Sequence, residues 1–198
     1  MQRLLTLILT CITAFAFGQT KGVIYIGISS DTAHVSHFLT FLTDSTVEIS
    51  SIPRHMSPSF KKVLTYTKES GDLLVRRDSA RETFSGFPEF SKDFYLTAKG
   101  RALLDTFNKT VYVQERDFKT YDLLYIIDGK RYKQKVGQVD AYGLVKKSFP
   151  ENVDLKKLLS EIKPTVDTYK VKFYKGVAAY SKYGYRFVYG VVELSRKQ

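Results

Sequence analysis

Residues 166–197 read VDTYKVKFYKGVAAYSKYGYRFVYGVVELSRK, and this stretch decides how the chain is organised. Val171 and Phe173 alternate with Lys170, Lys172 and Tyr174, the period-two pattern of a strand with one buried face. Gly176 ends that run, and Ala178 and Ala179 are small enough for a tight helical turn against a sheet. Tyr183 and Gly184 close the turn, and Gly190-Val191-Val192-Glu193-Leu194 opens a second apolar strand. Glycine at 176, 184 and 190 signals positive φ or close backbone approach, which is a packing device. The stretch contains no nucleophile, acid–base pair or metal cage.

Upstream, residues 123–127, the Asp128-Gly129 turn and residues 130–134 predict a hairpin, because Asp-Gly suits a type I′ turn. The spacing then predicts a helix capped by Asp154. Its Leu155, Leu158, Leu159 and Ile162 fall at i, i+3, i+4 and i+7, and Pro164 stops it. One apolar stripe implies one buried face, packed on a sheet built from residues 167–174 and 188–195. Strand, helix and strand then form a crossover unit.

The run Lys175-Gly176-x-Ala178-Ala179, then Tyr183-Gly184, Gly190-Val191-Val192 and the basic Arg196-Lys197, resembles the closing segment of the plug domain of TonB-dependent outer-membrane receptors. Leu124-Tyr125-Ile126-Ile127-Asp128-Gly129 resembles that domain's apolar strand and Asp-Gly turn, in the right order. The resemblance implies a plug-like hairpin–helix–strand–strand unit over residues 119–198 and a place in the bacterial envelope. Its implied partner is an outer-membrane or periplasmic component of an uptake system. Tyr189 stands where the family usually has a small polar residue. The sequence ends at Gln198, where the family's transmembrane barrel would begin, so the resemblance does not imply transport.

Residues 1–18, MQRLLTLILTCITAFAFG, read as a secretory signal: Arg3 is its positive region, and Ala16 and Gly18 occupy the −3 and −1 positions of a cleavage site before Gln19. Its apolar core of about fourteen residues is shorter than the roughly 20 a spanning helix needs. Cys11, the one cysteine, lies within that core and not behind a small-residue lipobox, so the exported protein is expected to lack disulfides and thiol chemistry. Localisation is then the periplasm or the outer-membrane periphery, with secretion as an alternative. The formal net charge of +11 fits a soluble surface, or attraction to an anionic glycan, a lipid surface or an acidic protein. No nucleic-acid fold signature accompanies it, and none is expected as a partner.

Residues 19–118 read as β-rich. Strands are expected near 23–28, 38–42 and 47–49, with 60–67 and 72–77 pairing across Gly71. Residues 94–97 and 110–114 are further strands, and Leu103, Leu104 and Phe107 suggest a short helix between them. The fold class is therefore α+β: an N-terminal antiparallel meander or small barrel-like sheet, followed by the plug-like unit.

Sites follow from the same residues. His34 and His37, with His55, have no carboxylate or thiolate at ligand spacing, so no metal and no cofactor are expected. Ser85-Gly86 and Ser29-Ser30-Asp31 lack a nucleophile elbow, and Glu48, Glu89 and Asp93 form no defined pair. No catalytic residue is assigned. Tyrosines give contact area at low entropy cost, and the C-terminal ones lie near Lys182 and Arg186. The candidate binding residues are Lys175, Gly176, Tyr180, Tyr183, Gly184, Tyr185, Arg186 and Tyr189; Asp128, Gly129 and Gly190 are assigned to turns. The expected function is that of an exported, non-catalytic envelope interaction protein. A periplasmic small-molecule binder with a lipocalin-like N-terminal half and an enzyme of unrecognised type are the alternatives.

Overall fold

The computed structural model describes residues 21–30, 37–51, 61–76, 92–135, 138–139, 145–147 and 150–197. The expectations placed on the leader and on Asp31, His34, His55, Ser85, Gly86 and Glu89 lie outside these residues. Eight strands follow one another as a meander: β1 (Ile24–Ser29), β2 (His37–Phe41), β3 (Thr46–Ser51), β4 (Lys61–Glu69), β5 (Asp72–Arg76), β6 (Phe94–Lys99), β7 (Ala102–Asp105) and β8 (Thr110–Gln114). Each is antiparallel to the next, and β1 pairs with β8, so the meander closes into a barrel without an edge.

Alternation explains the interior. Leu39 and Phe41, Val47 and Ile49, Leu64 and Tyr66, Leu73 and Val75, and Phe94 and Leu96 join Tyr25, Leu103 and Tyr112 in one cluster. An eight-stranded interior can be filled by side chains or hold one small ligand, and here these apolar side chains pack within it. At one end the filling is polar, where His37 Nε2 and the Tyr112 hydroxyl lie 2.9 Å apart in a buried hydrogen bond.

The helix expected around Leu103 is a strand instead, β7. Leu103 belongs to the interior cluster, whereas Ala102 and Leu104 belong to a second cluster on the outer wall. A strand buried on both faces loses its alternation, so its apolar run reads as a helix turn.

After a 3₁₀ segment (Glu115–Thr120) the chain builds a second sheet from β9 (Asp122–Ile127) and β10 (Lys130–Lys135), with β11 (Gln138–Val139) and β12 (Val145–Lys147) as a separate pair. Next come α1 (Val153–Ile162), a second 3₁₀ segment (Lys163–Thr168), β13 (Tyr169–Tyr174), α2 (Gly176–Tyr183) and β14 (Val191–Arg196). The sheet order is β10-β9-β14-β13, with β9 and β14 parallel and the outer pairs antiparallel. The edge strands β10 and β13 therefore run parallel, and α1 carries the chain across the whole sheet between them.

Asn152, not Asp154, caps α1: its side chain accepts from Leu155 N at 3.0 Å, and Asp154 falls in the first turn, where its charge favours the helix dipole. Helix α1 packs Leu155 and Ile162 on Ile127, Tyr169 and Leu194. The expected burial of Val171 and Phe173 does not occur; they are 52% and 57% exposed. They lie on an edge strand beyond the reach of α1's buried stripe.

Candidate functional site

The C-terminal motif is where the second sheet meets the barrel. The outer wall of β1, β7 and β8 presents Ile28, Ala102, Leu104, Val111 and Val113, which pack against Tyr121, Val188 and the flanking Val177, Tyr180, Tyr185 and Tyr189. Gly176 makes the approach possible. Its φ is +59°, and a Cβ there would lie 2.6 Å from both Ile28 O and Ser30 N. Gly176 N donates to Val188 O at 2.9 Å, and Ala178 N donates to the Ser30 hydroxyl at 3.2 Å. Lys175 precedes this contact in extended conformation. Gly184 ends α2 at φ +88°, its N–H donating to Tyr180 O, while the Tyr180 hydroxyl lies 3.4 Å from Lys99 O on the barrel.

A chain of hydroxyls runs through the same interface. Tyr121 donates to Tyr185 at 2.5 Å, and Tyr185 donates to Asp117 Oδ2 at 3.0 Å, where Arg101 lies 3.5 Å away. The Tyr121 ring also stacks at a tilt on Tyr185 and Tyr189, with centroids 5.2 and 5.1 Å apart. Burial raises the pKa of all three tyrosines, Tyr185 to about 12 with Asp117 adding to the rise. All three hydroxyls are therefore neutral at physiological pH. Arg186 reaches the buried carboxylate of Asp122 through Nε at 2.5 Å, and Lys135 holds the other oxygen at 2.9 Å.

On the α2 face of the sheet, Tyr183 donates to Glu193, and Lys182 bridges Glu193 Oε1 and the Tyr174 hydroxyl at 3.0 Å each. The Tyr183 hydrogen bond, followed by the Lys182 contact, holds the Glu193 carboxyl below its ordinary range. At the hairpin, Asp128 and Gly129 take φ of +46° and +84°, as a type I′ turn requires, and Asp128 Oδ1 accepts from Arg196 N at 3.1 Å. Gly190 sits beneath Leu123 and Phe173; a Cβ there would meet their side chains at 3.1 and 3.6 Å.

The structure thus brings Gly176, Tyr180, Tyr185 and Tyr189 together against the barrel, directs Arg186 to Asp122, and engages Tyr183 with Glu193. Sequence reasoning missed Tyr121, Asp117 and Asp122, which carry no motif and are defined only by what they touch. Among the described residues, no group of histidine and carboxylate side chains could hold a metal ion.

What remains open is the outer edge of the sheet. No described strand pairs with the free side of β13, and Val171 and Phe173 stand exposed there beside exposed Lys170 and Lys172. The opposite edge differs, because Asn152 Nδ2 donates to Lys133 O on β10 at 3.3 Å. Comparison with protein-family models, curated proteins and solved structures finds no match to this chain.

Proposed function

We propose that the chain is a non-catalytic protein-interaction module, in which a closed β-barrel carries a small α/β sheet with an open binding edge. More particularly, it is an exported envelope protein whose plug-like unit serves an outer-membrane uptake system as an accessory. The observation that carries the first step is the contrast between a barrel interior packed with apolar side chains and a strand edge that no described strand covers. Leu39, Phe41, Val47, Ile49, Val75 and Leu96 have 0% exposure and pack in one cluster, so apolar side chains occupy the barrel interior. That favours a scaffold over a lipocalin-like container. Exposed Val171 and Phe173, together with a chain charge of +11, favour a partner with apolar and acidic groups.

The test is crosslinking in native cells with the tagged full-length chain, followed by envelope fractionation and mass spectrometry. Repeated recovery of one outer-membrane component, lost when Phe173→Asp is introduced, is the expected result. Recovery of the protein free in the periplasm with no crosslinked partner would overturn the proposal.

A further inference from the structure

Resting on the interaction-module reading, we infer that the free edge of β13 accepts an extended acidic segment of a partner protein as a fifth strand of the sheet. Hydrogen-bond parity identifies the groups that would receive it. Gly190 O and Leu194 O on β14 accept from Leu124 N and Asp128 N on the β9 side, so the even-numbered groups of β14 face β9. The odd-numbered groups of β14 then face β13, as Lys197 N donating to Thr168 O at 2.8 Å marks. The register pairs Lys170 with Ser195 and Lys172 with Glu193, so the even-numbered groups of β13 are used within the sheet. The N–H and C=O of Val171 and Phe173 point to the open edge. A strand added there needs no rearrangement of the existing ladder.

The side chains specify which strand. Lys170 and Lys172 project on one face and Val171 and Phe173 on the other, all four exposed. An incoming strand paired with β13 places alternate side chains opposite the two lysines, and the intervening ones beside the two apolar residues. Carboxylates alternating with apolar residues complement both faces. A second copy of this chain does not, because pairing that keeps faces matched sets Lys170 and Lys172 against Lys170 and Lys172, and like charges directly opposite repel. The lysines thus block self-association while favouring an acidic guest. Glu193, opposite Lys172 in the register, is hydrogen-bonded to Lys182, Tyr183 and Tyr174.

The experiment titrates the full-length protein with a fluorescent peptide of alternating glutamate and valine, against the same peptide with lysine in place of glutamate. The acidic peptide is expected to bind, more weakly as salt rises, and to slow amide exchange at Val171 and Phe173. Val171→Pro removes an outward-facing N–H without breaking the inner ladder, and is expected to weaken binding at least about tenfold. A proline at Lys172 would instead break a bond within the sheet. Should Val171→Pro fail to fold, Lys170→Glu/Lys172→Glu at exposed positions gives the same answer by reversing the preference toward the lysine peptide. Equal binding of both peptides, binding unchanged in these variants, or dimerisation through this edge would overturn the inference. If the envelope crosslink survives Val171→Pro and the double charge reversal, strand addition fails while the interaction-module reading stands.

Discussion

Replacing Gly176 by alanine tests the packing of the C-terminal unit on the barrel. Two costs add at this position. At φ +59° an L-residue is disfavoured by about 1–2 kcal/mol. The new methyl would also sit 2.6 Å from Ile28 O and Ser30 N and 2.7 Å from Ser29 C, all backbone atoms of one barrel strand and its end. Carbon–oxygen contacts are ordinarily no closer than about 3.3 Å, so α2 must withdraw by roughly 0.7 Å. The barrel strand is fixed on both sides by β2 and β8, which leaves the helix to move. Overpacking of this kind costs about 1–3 kcal/mol, for a total of about 2–5 kcal/mol.

Gly184→Ala is the matched control at the other end of the same helix. Its φ of +88° is also unfavourable to alanine, at about 1–3 kcal/mol, but nothing lies within 4 Å of the added Cβ. Urea unfolding followed by circular dichroism should show Gly176→Ala to be the more damaging by about 1 kcal/mol or more. In a chain of this size that is a thermal midpoint difference of about 2–4 °C per kcal/mol. If Gly176→Ala costs no more than Gly184→Ala, the close approach of α2 to β1 is refuted.

Two further perturbations probe the same interface. Asp122 is 2% exposed, and removing both Lys135 and Arg186 would strand its carboxylate at a cost of about 3–5 kcal/mol. Asp122→Asn should cost less, about 1–3 kcal/mol, since the side chains of Lys135 and Arg186 are 35% and 52% exposed and rehydrate. Denaturant midpoints that rank the two variants the other way would contradict the buried pairing. In alkali, the unfolded chain's tyrosines ionise near pH 10, whereas Tyr185 is held to about 12 in the fold. Its contribution to stability is therefore complete below pH 10 and lost as the pH climbs toward 12. Near-ultraviolet tyrosinate absorbance should rise together with loss of circular dichroism; ionisation of Tyr121, Tyr185 and Tyr189 near pH 10 in an intact fold would contradict their burial.

Most strands were legible because one face of each is buried. Val47 and Ile49 alternate with Thr46, Glu48 and Ser50, and the Asp128-Gly129 dipeptide sets its own turn. Closure of the barrel was not legible, since the pairing of β1 with β8 joins residues at opposite ends of the meander. The errors at β7 and β13 mirror each other. Leu104 looked helical because its outer face is covered by residues from the C-terminal unit, and Phe173 looked buried because periodicity reports polarity and not whether a neighbour exists. The glycines at 176 and 184 announced special backbone. That Gly176 meets Ile28 and Ser30 depends on the relative placement of two units distant in sequence, which no local pattern contains.

That placement has a consequence for cooperativity. The outer wall of β3 and β4 carries exposed or half-exposed Thr46, Glu48, Lys61, Thr65 and Thr67, as suits a barrel facing water. The wall of β1, β7 and β8 instead carries Ile28, Ala102, Leu104, Val111 and Val113, which Val188 and the C-terminal tyrosines cover. In this structure that sector of the barrel is covered by Tyr121, Val188 and the flanking Tyr185 and Tyr189, which share one cluster with it. Both units therefore lose a shared core when either opens, and such coupling merges their unfolding into one transition. Amide exchange should show β8 and β14 opening with the same denaturant dependence. If the C-terminal sheet exchanges at low urea while the barrel stays protected, the shared cluster contributes too little to couple them, and the chain behaves as two independent domains.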